Sequence, residues 1–198
     1  MMLIEENAIP DAALPVDAFK AHLRLGTGFA AETLQDGVLR SFLRAAIAAI
    51  EARTGKALIA RTFSLVLSGW QNAMSQAFPV APVVSVTDVA LVDRLGQESV
   101  VPADQYWLEQ DMHRPRLKPR GMLLPTVAED GSARITFVAG YAADFDGVPS
   151  DLAQAVLLLA SHYYEFRHET ALPSGCMPFG VSSLIERYRS LRLRAGRD

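Results

Sequence analysis

The feature that most constrains this chain is a change of hydrophobic period, made twice. Between Leu34 and Arg53 the apolar residues Leu39, Leu43, Ala46, Ile47 and Ile50 recur at three- and four-residue steps, the spacing of one helical face. From Phe63 the period falls to two: Phe63, Leu65 and Leu67 lie on one side of a strand, as do Ile135, Phe137, Ala139 and Tyr141 later. At Ser150 the helical spacing returns, with Leu152, Val156, Leu159, Tyr163 and Phe166 in a four-three-four-three seam. Helix, then strands, then helix predicts an α+β fold, because alternating βα units are absent and the strands are consecutive.

Punctuation refines the reading. A short helix is predicted from Val16 to Leu25, stopped by Gly26-Thr27-Gly28. The Leu34–Arg53 helix ends at Gly55, with Arg53 and Lys56 suited to the negative end of its dipole. Gly37 lowers helix propensity and marks a late start. Val83 to Val92 is rich in β-branched residues, and the turn Asp93-Arg94-Leu95-Gly96 returns the chain as a hairpin at Ser99-Val100-Val101. Tyr106 to Glu109 and Arg116-Leu117 read as further strands, so the middle is an antiparallel set of five or so. Ser150 is the expected N-cap of the next helix, with Asp151 in its first turn. Leu157 and Leu158 widen the apolar face of that helix, so it is expected to be buried on several sides, within a bundle or between subunits. A last helix is predicted from Val181 to Leu193.

Composition excludes several function classes. The 198 residues carry a formal net charge of −3, which argues against a dedicated nucleic-acid binder. The charge is uneven: Glu5, Glu6, Asp11 and Asp17 precede any Lys or Arg, whereas Arg187, Arg189, Arg192, Arg194 and Arg197 crowd the end. Cys176 is the single cysteine, so no intrachain disulfide framework exists. The opening Met1-Met2-Leu3-Ile4-Glu5-Glu6 lacks a basic n-region and a long apolar run, and no stretch is long enough to span a bilayer. A chain made in the cytoplasm, with no membrane partner, is expected.

Chemistry-bearing patterns are sparse. Glu165 and His168 have Glu-x-x-His spacing, with His162 three residues earlier, but di-iron bundles use that motif twice with two further glutamates. A polar helix face is the simpler reading, and no metal or cofactor is expected. Cys176, between Pro173 and Pro178, reads as a loop residue rather than a nucleophile with a base beside it. There is no phosphate loop, nucleophile elbow, His-Glu-x-x-His or Cys-x-x-Cys. A non-enzyme is expected. The arginine-rich end has three readings: a solvated helix face, a dock for an acidic protein surface, or a contact for DNA phosphates. Tyr188 is placed to join an interface core with those arginines.

Several segments, in order, resemble the head–tail connector (adaptor) proteins of tailed phages. These are Thr54-Gly55-Lys56-Ala57-Leu58-Ile59, the strand from Thr136 to Ala139-Gly140-Tyr141, and Val148-Pro149-Ser150-Asp151-Leu152 through Tyr164-Glu165-Phe166-Arg167. Pro178-Phe179-Gly180-Val181-Ser182-Ser183-Leu184, followed by Tyr188-Arg189, completes the set. The long β-rich middle departs from the shortest connectors and is similar to the branch found in prophages and gene transfer agents. The resemblance implies a helical core of about four helices formed by residues 1–58 and 148–198 together, with residues 59–147 inserted as a β-subdomain facing outward or toward the tail. It implies a ring of twelve copies beneath the portal protein, a tail-side stopper or completion protein on the other face, and DNA passing through without specific binding. Such a protein works in the neck of the particle, after assembly in the host cytoplasm. Leu152, Val156, Leu159, Tyr163 and Phe166 would then serve the core and the subunit contacts. Arg187, Tyr188, Arg189, Arg192, Arg194 and Arg197 would dock on the portal. Another neck component, such as a stopper or tail-completion protein, is the first alternative. A metal-dependent enzyme using Glu165 and His168, and a DNA-binding protein, are the others.

Overall fold

A computed structural model describes residues 1–24, 35–167 and 177–189. Leu34, His168, Cys176, Arg192, Arg194 and Arg197 lie outside the described residues. The fold is α+β. The chain divides into two compact units, Met1–Pro10 with Ala57–Gly147, and Asp11–Lys56 with Val148–Asp198.

The first unit is built on an antiparallel five-stranded sheet. Its strands are β1 (Met2–Glu5), β2 (Arg61–Leu67), β4 (Val83–Val92), β5 (Glu98–Val100) and β8 (Ser132–Ala139), in the order β1-β2-β8-β4-β5. A second sheet joins β3 (Gln76–Ala77), β7 (Arg116–Pro119) and β6 (Tyr106–Glu109). Strand β8 is central, and its side chains alternate strictly between buried and half-buried along eight residues, as a period of two requires. Phe137 of β8 lies opposite Phe63 of β2, with ring centroids 5.7 Å apart, and Phe78 meets Phe137 at 4.7 Å. Leu65, Leu117, Val89 and Ile135 complete an apolar cluster. The Asp93–Gly96 turn forms as expected: the Gly96 N–H donates to the Asp93 carbonyl at 3.0 Å, and Asp93 Oδ1 accepts from Leu95 and Gln97, both at 2.8 Å. Gly96 has φ +78°, open to glycine and strained for other residues.

Two elements of this unit were not anticipated. Residues 2–5 form a strand, paired with β2 through Met2↔Val66 and Glu5↔Phe63. Strand β3 is only two residues long, too short for any periodicity.

The segment after Gly55 is pinned against the end of β8. The Tyr141 N–H donates to the Leu58 carbonyl at 3.1 Å, and the Ala60 N–H to the Ala142 carbonyl at 2.7 Å. Gly140 has φ +145°, and a Cβ there would lie 2.3 Å from Ala60 Cα. Only glycine permits that approach.

In the second unit the α-helices are α1 (Val16–His22), α2 (Asp36–Thr54), α3 (Ser150–Glu165) and α4 (Phe179–Ile185). Helix α2 buries the anticipated stripe Leu39, Leu43, Ala46, Ile47 and Ile50 against α3. Gly55 ends it in the left-handed conformation, φ +68°, with its N–H on the Glu51 carbonyl at 2.8 Å. Helix α1 is shorter than the predicted Val16–Leu25, with Leu23 as its C-cap. The cap of α3 differs from expectation too. Pro149 occupies the N-cap position and Ser150 is the first helical residue, making no capping hydrogen bond. Helix α4 starts earlier and stops sooner than the predicted Val181–Leu193, giving way to a tight 3₁₀ turn at Glu186–Tyr188.

Candidate interaction surfaces

The seam of α3 separates into an inner and an outer part. Leu152, Val156 and Leu159 are buried, Tyr163 is half-buried, and Phe166, just past the helix end, is exposed. Leu157 and Leu158 are half-buried, so the widened apolar face is only partly covered within one subunit. Burial pushes the Tyr163 phenol above its ordinary pKa. Phe42 meets Tyr164 edge-on at 6.0 Å, and the Arg167 guanidinium lies 4.4 Å above the Tyr164 ring. Beside this face, an open pocket of about 450 Å³ is lined by His22, Leu158, Ser161, His162, Glu165 and Val181, among others. Phe179, next to it in sequence, is 88% exposed.

Of the arginine-rich end, Arg187, Tyr188 and Arg189 lie among the described residues. Tyr188 is only 3% exposed, and its hydroxyl donates to Asp151 Oδ1 at 2.6 Å. Arg187 stacks on the Tyr188 ring at 4.9 Å, with its guanidinium 3.5 Å from Asp151, while its side chain stays largely in solvent. Arg189 pairs with Glu186 at 3.0 Å. Tyr188, expected at a partner interface, is turned inward within the chain. Its ring is an internal anchor at the start of α3, while Arg187 and Arg189 point outward on either side of it. In the sequence, Asp151 reads only as a first-turn acid; its role as the anchor's acceptor depends on a residue 37 positions away.

The acidic start also has a defined place. Asp11 Oδ1 accepts from Arg44 at 2.6 Å, and Arg40 lies 3.8 Å from its Oδ2. The Arg44 hydrogen bond holds the Asp11 carboxyl below its usual pKa. Lys20 and Asp36 form a largely buried pair at 2.6 Å. In the first unit Glu5 pairs with Arg61 at 2.7 Å, and Glu98 pairs with Arg134. Tyr106 is pushed up in pKa by burial and then by the charge of Asp88.

Among the described residues, no group of three or more His, Cys, Asp or Glu is arranged to hold a metal ion. His162 and Glu165 share the pocket wall with His22 but form no such group. No helix among these residues is long and apolar enough to cross a membrane. The surfaces that stand out are contact surfaces: half-covered apolar helix faces, outward arginines and open sheet edges. They are surfaces on which an α+β protein can join other chains.

No protein-family model and no curated protein sequence matches the chain. Solved structures do. A chain in the neck of an empty gene transfer agent (GTA) particle, determined with C6 symmetry, is 52% identical, with a TM-score of 0.90 and full coverage of both chains. A chain of the virion of the native particle is 51% identical, with a TM-score of 0.88. One from the native neck, determined with C12 symmetry, is 47% identical, with a TM-score of 0.86; both of these also match over their whole lengths. The chain belongs to the family of structural neck proteins of gene transfer agent particles.

Proposed function

We propose that this chain is the head–tail connector, or adaptor, of a gene transfer agent or phage-like particle. It acts as a ring of copies in the neck, between the portal and the tail-side proteins, around the channel through which DNA passes. The observation that carries this reading is the full-length match, at 52% identity, to a chain of such a neck. The symmetry of those assemblies, C6 and C12, supports a ring, and a twelve-fold ring fits both. The chain contributes contacts rather than chemistry. The partly covered outer face of α3 supplies apolar surface for neighbouring subunits. Arg187 and Arg189, followed in sequence by Arg192, Arg194 and Arg197, supply cations for an acidic face on the portal. The mildly acidic net charge of −3 suits a conduit, since a wall that bound DNA tightly would retard its passage.

Electron microscopy of the purified protein mixed with its cognate portal tests the reading. A ring of added density on one face of the portal is the expected result. No binding to a well-formed portal, with binding instead to tail-side components, would replace the adaptor reading with that of a stopper or tail-completion protein.

A further inference from the structure

The five-stranded sheet ends in two open edges. Strands β1 and β5 occupy opposite ends of the order β1-β2-β8-β4-β5, and among the described residues no strand pairs beyond either. Every neighbouring pair in the sheet is antiparallel, so four reversals leave β1 and β5 running in the same direction.

Hydrogen-bond phase determines which backbone groups face outward. The Glu6 N–H donates inward to the Thr62 carbonyl at 3.0 Å. With a period of two, Met2 and Ile4 also bond toward β2, and Leu3 and Glu5 turn their N–H and C=O groups outward. At the other edge Val101 donates to Val89 at 2.7 Å and Asp93 to Gln97 at 3.0 Å. Gln97, Ser99 and Val101 therefore bond inward, and Glu98 and Val100 face outward. Each edge thus presents two residues, two apart.

Natural edge strands are blunted by short length, charges, prolines or bulges; both edges here are short, and the one charge on each is already paired within the subunit. In β1 the single charge, Glu5, is already neutralised by Arg61, and Met2, Leu3 and Ile4 are exposed apolar residues. In β5 the charge of Glu98 is taken up by Arg134, and Val100 is 66% exposed. The part of β4 that β5 does not cover is different: it carries irregularities at Val83/Ser85 and Val86/Asp88, so regular pairing on that side is available only along β5.

We propose that β1 of one copy pairs with β5 of the next, joining neighbouring subunits through a continued sheet. The occupant is a second copy because rotational rings require two unlike, complementary patches on each subunit, and full-length relatives sit in necks of C6 and C12 symmetry. A rotation about an axis near the strand direction preserves strand sense, so the junction is parallel. The register that sets Leu3 opposite Ser99 of the neighbour lets the Leu3 backbone bond between Glu98 and Val100, and carries Glu5 away from Glu98, which avoids opposing two carboxylates. The inference rests on the ring reading above.

Cross-linking tests it. Leu3→Cys and Ser99→Cys, which share one face of the continued sheet, are combined in a Cys176→Ser background, and assembled particles are treated with a short bismaleimide. A ladder of covalent multimers is expected from the double variant, and monomer from either single variant. Monomer alone from the double variant, in particles whose neck density contains this chain as a ring, would overturn the edge pairing and leave the ring intact. Absence of the chain from the neck would overturn the connector reading itself, and the pairing with it. Leu3→Pro gives a second readout, because it removes an outward N–H without touching the β1–β2 bonds. It should keep the wild-type circular dichroism and lose at least about tenfold in ring incorporation, whereas Leu3→Ala retains it. Undiminished incorporation of folded Leu3→Pro would count against the pairing.

Discussion

The Tyr188 hydroxyl and Asp151 Oδ1, 2.6 Å apart, tie the 3₁₀ turn after α4 to the first turn of α3. The bond fixes the point from which the arginine-rich segment departs. Tyr188→Phe keeps the buried ring and removes one charge-assisted hydrogen bond, which should cost about 1.5–3 kcal/mol in urea unfolding. A midpoint equal to wild type would show that the bond contributes nothing net.

Gly140 and Ala60 approach too closely for any side chain between them. A Cβ on Gly140 would meet Ala60 Cα at 2.3 Å and its nitrogen at 2.4 Å, both backbone atoms that cannot rotate away. Gly140→Ala also enforces a strained φ, and should destabilise by at least ~2 kcal/mol. Gly37→Ala, where nothing lies near the added methyl, should be neutral or stabilising. Thermal melts of the two variants make the comparison.

Asp11 predicts an acid-side dependence. Its folded pKa lies below the unfolded value of 3.8, chiefly because of the Arg44 hydrogen bond. The stability it contributes is present above that value and lost as pH falls through the folded pKa. The stability difference between wild type and Asp11→Asn should therefore be small, since the pair is solvent-exposed, and should shrink on acidification below about pH 4. A difference that grew at low pH would contradict the assignment.

Tyr163 and Tyr106 predict the opposite limb. Burial raises both phenols above 10.0 in the folded chain. The unfolded chain thus releases these protons first, and stability falls as pH rises past that value. Ultraviolet titration should find Tyr163 and Tyr106 ionising later in the folded protein than after denaturation, and Tyr163→Phe should remove one of these late ionisations.

Reversing charge at Arg189 and Arg192 together, each to Glu, should leave the fold intact and block joining to the portal. Arg189 is an exposed residue that pairs with Glu186. Normal particle yield from the double variant would reject the docking role.

Legibility followed the length and purity of the periodic signal. Helix α2 announced its buried stripe and its glycine stop, and β8 its alternation, because one face of each meets a core and the other does not. Strand β4 was readable over its full extent from β-branched content. Strand β1 was not, because an edge strand with every side chain exposed has no inside–outside pattern to display. The Tyr188–Asp151 bond was hidden for another reason: a contact across 37 residues leaves no mark at either position. Ser150 misled because a preferred capping residue follows a proline that takes the cap position itself. For the interaction surfaces, the outward arginines could be found from composition alone. The inward turn of Tyr188 between them could not, since that depends on the tight turn replacing a continuous helix.

The paired segments at Leu58–Ala60 and Gly140–Ala142 close the inserted β unit on itself, so the chain leaves for it and returns from it at neighbouring points. A stem of that kind fixes where the chain enters and leaves the unit, so strands between its two arms can be lengthened or trimmed without moving those points. One strand escapes that freedom: β1 is contributed from residues 2–5, outside the stem, so any change to the inserted strands has to leave β2 an edge that still matches it.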